Sequence, residues 1–323
     1  MTDATFRAGD RVEVRPVAEI MATLDAAGEL DSMPFMPEML RFCGRRMTVQ
    51  KVAHKICDVI EQTGLRRLDD AYILTGARCD GSAHGGCETA CTLFWRSAWL
   101  RPVDPAAADP VPPEPVTLPI VGIGATVRET PDGTRYRCQA TEILRAAPGH
   151  VKLKDLDQYV RDVRTGNAGA FAVLRALFFG LFNRWQKLSR RLPRALRIRG
   201  GLEWGWVDGR AGRTTPVATL DLKPGELVRV KTIEEINATL NAGKLNRGMG
   251  FDEEMSRFCG RTARVRSRVA RCLDERTGQM MEMKTPAVIL EGLFCEGAYG
   301  ANCPRAYVPF WREIWLDRVD DPS

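Results

Sequence analysis

The sequence predicts a mainly β protein with short helices, an α+β chain built from two copies of one small unit. Three observations predict it. Residues Gly9 to Val103 match Gly225 to Val319 at a constant spacing over most of their length. Each copy opens on an alternating run, Gly9-Asp-Arg-Val-Glu-Val-Arg15 and Gly225-Glu-Leu-Val-Arg-Val-Lys231. That is the period of a strand with one buried face. Each copy closes on Phe-Trp-Arg-x-x-Trp-Leu, Phe94 to Leu100 and Phe310 to Leu316.

The elements follow in order. Val17 to Leu24 and Ile233 to Leu240 place apolar residues at helical intervals, and Thr232 with Glu235 has the pattern of a capping box. A second short helix is expected over Pro37 to Phe42, ending at Gly44 after an Arg-Phe-Cys-Gly tetrad. Asp252 to Phe258 with Gly260 repeats it. Two strands are expected next, Met47 to Asp58 and Asp70 to Ala77, around a Thr-Gly turn. An aromatic strand, Leu93 to Val103, ends the unit. Its Trp95 and Trp99, like Trp311 and Trp315, are expected in the core. Arg96 and Arg312 alternate out of that face, with acids such as Glu38 and Glu254 as expected partners.

Four segments result. Residues 1–103 are the first repeat and 222–323 the second. Residues 104–119 carry six prolines and read as a stiff linker. Residues 120–221 form a middle segment. It starts with a hairpin, Val121 to Val127 and Tyr136 to Leu144, around Pro131-Asp132-Gly133. A basic amphipathic helix follows, over about residues 168–192. Its apolar stripe runs Phe171, Leu174, Phe178, Leu181, Trp185, Leu188, Leu192, at steps of three and four.

Net charge is +6, and the excess is local. Gly166 to Leu202 holds eight Arg or Lys and no Asp or Glu. The apolar run is too short to span a bilayer and contains Arg175. Two readings stand: an anionic membrane surface contacted through 168–199, or a packing helix between the repeats. Nucleic acid is a third partner class, one for which the basic residues would be expected to interleave with aromatics over a face. No apolar leader core occurs in Met1 to Val17, so a reducing, cytoplasmic setting is expected, peripheral at the inner membrane if the helix binds lipid.

Ten cysteines in such a setting point to metal more than to disulfides. The first copy reads Cys79-Asp-Gly-Ser-Ala-His84-Gly-Gly-Cys87-Glu-Thr-Ala-Cys91. Thiolate and imidazole suit zinc, and the loop glycines let several side chains converge. Cys57, on the preceding strand, is a fifth candidate, expected to face Cys79. Zinc is then held by Cys79, Cys87, Cys91 and either His84 or Cys57. Alternatively an iron-sulfur cluster uses Cys57, Cys79, Cys87 and Cys91, with His84 outside it or replacing one thiolate. In the second copy Gly300 and Tyr307 stand where His84 and Cys91 were, so Cys295 and Cys303 lack company. Cys43 and its twin Cys259 follow a helix C-terminus, where the dipole opposes a thiolate, and are read as packing. His54 is read as a partner of Cys57 or as a surface residue.

Over nearly its whole length the chain resembles a group of uncharacterised bacterial proteins with FCG, CDGSAHGGC and FWREAWL-like motifs. Gly-Asp-x-Val-x-Val resembles the first strand of SH3-like, KOW-type barrels, which implies a small barrel for each repeat. Cys79-Asp-Gly-Ser-Ala-His84 is similar to the CDGSH signature of small iron-sulfur proteins, with Ala83 inserted. No phosphate loop, Ser-His-Asp set or zinc-protease helix occurs. The expected role is a non-catalytic, metal-binding accessory or scaffold protein that binds another protein. An iron-sulfur or zinc enzyme is the alternative, and a nucleic-acid binder the second.

Overall fold

The computed structural model describes residues 6–103, 126–205 and 207–320. The Pro-rich linker, and Val121 to Ala125 of the expected hairpin, lie outside them. The described chain is mainly β, with short helices. It divides into two compact units that do not follow the repeat boundaries. The first takes in the chain up to Val173 together with Arg271–Met281 and Asn302–Arg305; the second takes the rest.

In the first unit, strand β1 (Arg11–Val14) leads into helix α1 (Val17–Met21). A 3-10 turn, Pro37–Phe42, ends on Cys43, and the Gly44 amide donates to the Val14 carbonyl at 2.8 Å. Strands β2 (Arg46–Val52), β3 (Lys55–Asp58), β4 (Gly64–Arg67), β5 (Tyr72–Arg78), β6 (Thr92–Trp95) and β7 (Leu100–Pro102) follow. The main sheet has the order β6-β5-β2-β1-β7, so the first and last strands of the repeat are neighbours.

Two expectations are corrected here. The single strand Met47 to Asp58 is two strands, broken at Ala53-His54. The break exists because His54 turns inward: its Nε2 lies 2.8 Å from Asp162 Oδ1, and both are buried. Asn167 brackets the same break, accepting from the Val52 amide at 2.8 Å and donating to the Val52 carbonyl at 2.7 Å. Leu93 to Val103 is likewise no single strand, since a 3-10 turn, Ser97–Trp99, interrupts it. Trp95 and Trp99 are core residues nonetheless, both edge-on to Phe35.

The middle segment opens with a short hairpin, β8 (Val127–Thr130) and β9 (Gly133–Tyr136). Tyr136 to Leu144 is not its second strand. Gln139–Ala146 is helix α2, started by Thr141, whose Oγ1 accepts from the Cys138 amide at 3.0 Å. Ala140, Ile143 and Ala147 fall at helical spacing and are buried. Strand β10 (His150–Val151) extends the small sheet to β10-β4-β3. Helix α3 (Asp157–Arg164) supplies Asp162, whose other oxygen takes the buried Lys55 ammonium at 2.6 Å.

Helix α4 spans Ala170–Ser189. Its inward face consists of Val173, Ala176, Gln186 and Ser189. The apolar stripe faces solvent: Phe171 is 78% exposed, Leu181 68% and Leu188 61%. Among the described residues, no helix is long and apolar enough to cross a membrane.

The second unit repeats the main sheet. Strand β11 (Leu227–Val230) leads into helix α5 (Ile233–Asn237), capped as expected by Thr232 and Glu235. Strands β12 (Thr262–Leu273), β13 (Met280–Leu290), β14 (Trp311–Arg312) and β15 (Leu316–Arg318) give the order β14-β13-β12-β11-β15. Registers match: Arg11 pairs Thr48, and Leu227 pairs Arg264 at the corresponding positions. Trp99 Nε1 donates to Thr23 Oγ1 at 3.0 Å, and Trp315 Nε1 to Thr239 Oγ1 at 2.9 Å.

Candidate metal centre

The loop after β5 is closed by backbone bonds. The Cys79 amide donates to the Cys91 carbonyl at 2.9 Å, and the His84 and Gly86 amides both donate to the Gly81 carbonyl. Gly81 has φ +72°, and a Cβ there would stand 2.0 Å from the Cys87 carbonyl oxygen. Gly85, φ +74°, would meet the Tyr136 ring at 2.6 Å. Both positions therefore demand glycine. The second loop keeps part of this closure, with the Cys295 amide donating to the Tyr307 carbonyl at 2.8 Å.

Three ligand-type side chains meet beside this loop: Glu38 from the 3-10 turn, Cys79 and His84, with donor atoms within 4.8 Å of one another. The Cys79 thiol donates to Glu38 Oε1 at 3.1 Å. Cys79 Sγ lies 3.6 Å from His84 Nε2, and His84 Nδ1 lies 3.3 Å from Glu38 Oε1. An ion takes one imidazole nitrogen, so it would draw one donor atom of each residue from within 4.8 Å to the about 3.3–3.8 Å separations of a tetrahedral zinc shell.

Two polar atoms here are buried without a hydrogen-bond partner among the described residues, Glu38 Oε2 and His84 Nδ1. The Glu38–His84 approach is close enough for an ion pair yet fails hydrogen-bond geometry. A buried carboxylate oxygen left unsatisfied costs about 1–3 kcal/mol or more, which a cation would remove.

Electrostatics favours separated charges in this cluster. Burial raises the Glu38 pKa, but the neighbouring His84 imidazole and the hydrogen bond from Cys79 outweigh it and hold the carboxyl low. Burial lowers His84, yet contacts with Cys87 and Glu38 push it up to about 9. Burial raises Cys87, but His84 and Thr89 pull it down, the latter with its Oγ1 at 3.1 Å from the sulfur. Burial, reinforced by the Glu38 charge, pushes the Cys79 thiol far up. A neutral thiol sits between a carboxylate and a histidine that also neighbours Cys87, whose own pKa is lowered.

Of the sequence-derived candidates, the structure brings Cys79 and His84 together with Glu38; Cys87 is outside that group but near enough to raise the His84 pKa. Cys91 borders the group: it is half-buried, its pKa is raised by desolvation and then by Glu275 and neighbouring thiols, and its field reaches Cys79. Cys57 is elsewhere. Its strand β3 pairs with β4, opposite Leu65, and not with the strand leading to Cys79. Its backbone amide donates to Cys303 Sγ at 3.0 Å. His54 is neither a partner of Cys57 nor at the surface, since it is buried against Asp162.

Glu38 was not among the sequence-derived ligands. It was expected beside Arg96, but Arg96 instead donates to the carbonyls of Leu30, Asp31, Asp69 and Asp70. Its signal was the match of Glu38 to Glu254 next to the Arg-Phe-Cys-Gly tetrads. Cys43 and Cys259 behave as packing residues, with burial pushing each thiol up to about 11. Comparison with family models, curated proteins and solved structures finds no match to this chain.

Proposed function

We propose that the first repeat holds one zinc ion through Glu38, Cys79 and His84, with Cys87 closing the fourth position. One observation carries this reading: a buried Glu38 oxygen and a buried His84 nitrogen lack partners beside a thiol. Four protein ligands close a zinc site, which suits a structural role and not a catalytic one. The donor set has one carboxylate, one imidazole and two thiols, and disfavours an iron-sulfur cluster, which calls for thiolates. We read the protein as a non-catalytic, metal-stabilised module. The repeats are read as small SH3-like barrels, on the strength of a sheet order that sets first strand beside last.

The test is metal content after purification without chelator. Near one equivalent of zinc is expected in the wild type, with loss in Cys79→Ser and retention in Cys295→Ser. Iron with a visible absorption band would favour the cluster, and less than a tenth of an equivalent of either metal would remove the reading.

The module docks through α4. An exposed apolar stripe of seven large residues, Phe171 to Leu192, runs beside Arg175, Arg184, Lys187, Arg190 and Arg191 with no acid in the stretch. That combination suits an anionic lipid surface, where apolar burial and basic side chains act together. Flotation with vesicles of phosphatidylglycerol and phosphatidylcholine tests it. Binding to the anionic mixture alone, reduced by salt, is expected. Failure to float would leave a protein partner as the occupant of the stripe.

A further inference from the structure

We propose that Cys57 and Cys303 are a redox modification site, two thiols placed to form a reversible disulfide under peroxide. Nothing in the zinc reading uses either residue. Both belong to the first compact unit, although Cys303 comes from the second repeat. The Cys57 amide donates to Cys303 Sγ at 3.0 Å, which sets the Cys303 sulfur against the Cys57 backbone. Disulfide formation needs Cβ atoms about 3.5–4.5 Å apart, and a Cys303 sulfur held 3.0 Å from the Cys57 amide nitrogen lies near that reach. None of the ten cysteines is in a disulfide in this structure.

The surroundings distinguish this pair from the other thiols. Arg305 is buried two residues beyond Cys303. Its guanidinium donates to the Cys57 carbonyl at 3.3 Å and is held by Glu275 at 2.9 and 3.0 Å. Cys303 pulls the Cys57 thiol down against burial, with Arg305 adding to it, to about 7. Burial pushes Cys138 up to about 12 and Cys272 up to about 11. A thiolate fraction near neutral pH and partial exposure are what an oxidisable thiol requires. Cys57 is half-buried and is the attacking thiol; Cys303 is buried and resolves.

The step balances with hydrogen peroxide as oxidant. The Cys57 thiolate attacks one peroxide oxygen, the O–O bond breaks, and hydroxide leaves, giving a sulfenic acid. The Cys303 sulfur then attacks the Cys57 sulfur and the S–O bond breaks. The departing hydroxide takes the Cys303 proton as water. Two thiols and one peroxide give one disulfide and two waters: the sulfurs lose two electrons and the peroxide gains them. A dithiol reductant reverses it.

A matching contact makes the pairing a property of the repeat. The Leu273 backbone lies beside Cys87 and lowers its thiol, at the position matching the Cys57 amide beside Cys303. Leu273 and Cys303 occupy the second-copy positions that match Cys57 and Cys87. Only one of these two contacts joins two cysteines.

The test treats the full chain with one equivalent of hydrogen peroxide, blocks remaining thiols and maps cross-links by mass spectrometry without reduction. A Cys57–Cys303 peptide pair lighter by two hydrogens, restored by dithiothreitol, is expected. Cys303→Ser should stop at a Cys57 sulfenic acid that dimedone traps. Wild-type protein in which both residues stay alkylatable after peroxide, or in which only other cysteines cross-link, overturns the proposal whether or not the variant folds. Zinc content of Cys57→Ser, expected unchanged, separates this result from the fate of the metal reading.

Discussion

Glu38 and Glu254 stand at matching positions of the two repeats and face opposite surroundings. Glu38 meets a thiol and a histidine, which hold its carboxyl low despite burial. Glu254 accepts from the Tyr299 amide and approaches Arg257 at 3.6 Å, and burial still raises its pKa. The exchange of His84 for Gly300 explains the contrast: an imidazole is replaced by nothing, and a backbone amide takes up the carboxylate.

Glu38→Gln should therefore weaken zinc binding by on the order of tenfold to a hundredfold. Glu254→Gln should leave it unchanged. Competition with a chromophoric chelator measures both.

Zinc binding should release protons. At neutral pH His84, raised to about 9, is charged, and the Cys79 thiol, raised by burial and by Glu38, is protonated. A metal displaces both, so at least two protons are expected at pH 7. Affinity rises as pH approaches 9. In the metal-free fold the sign is opposite. A histidine whose pKa is raised on folding stabilises the fold fully below its unfolded value, and that contribution disappears as pH rises through about 9. Calorimetry in buffers of different ionisation heat counts the protons.

Gly81→Ala should cost about 1–3 kcal/mol or more from backbone strain alone. The added Cβ would meet the Cys87 carbonyl, so zinc stoichiometry should fall with stability. Urea unfolding and metal analysis of the same sample report both.

Asp162→Ala should destabilise the first unit by about 3–5 kcal/mol, because it strands a buried cation. Lys55 is fully buried with Asp162 as its ion-pair partner, and His54 shares the same carboxylate. Lys55→Met combined with Asp162→Leu should recover much of that loss, as seen in denaturation midpoints.

Leu181→Glu should change stability by no more than about 0.5 kcal/mol, since Leu181 is exposed. The same substitution should abolish flotation on anionic vesicles.

The opening strands, the Thr232 cap and the buried Trp pairs were legible in the sequence, because alternation and local side-chain chemistry decide them. The α4 stripe was legible as a helix face, though the periodicity carries no information on whether that face is covered. The break at Ala53-His54 was not legible. It depends on Asp162 and Asn167, far along the chain, and no local pattern announces them. The α2 helix was missed because Tyr136 to Leu144 alternates weakly, while Ala140, Ile143 and Ala147 carry a helical period. At the candidate site, spacing within one loop singled out Cys79 and His84, which the structure brings together. It could not find Glu38, which arrives from another element, and it misplaced Cys57, because strand pairing beyond the first hairpin is a tertiary fact.

The most direct measurement is X-ray absorption at the zinc edge of the purified protein. A mixed first shell is expected, sulfur near 2.3 Å and nitrogen or oxygen near 2.0 Å in about equal numbers. A shell of four sulfurs, or no zinc edge at all, would contradict a centre built on Glu38, Cys79 and His84.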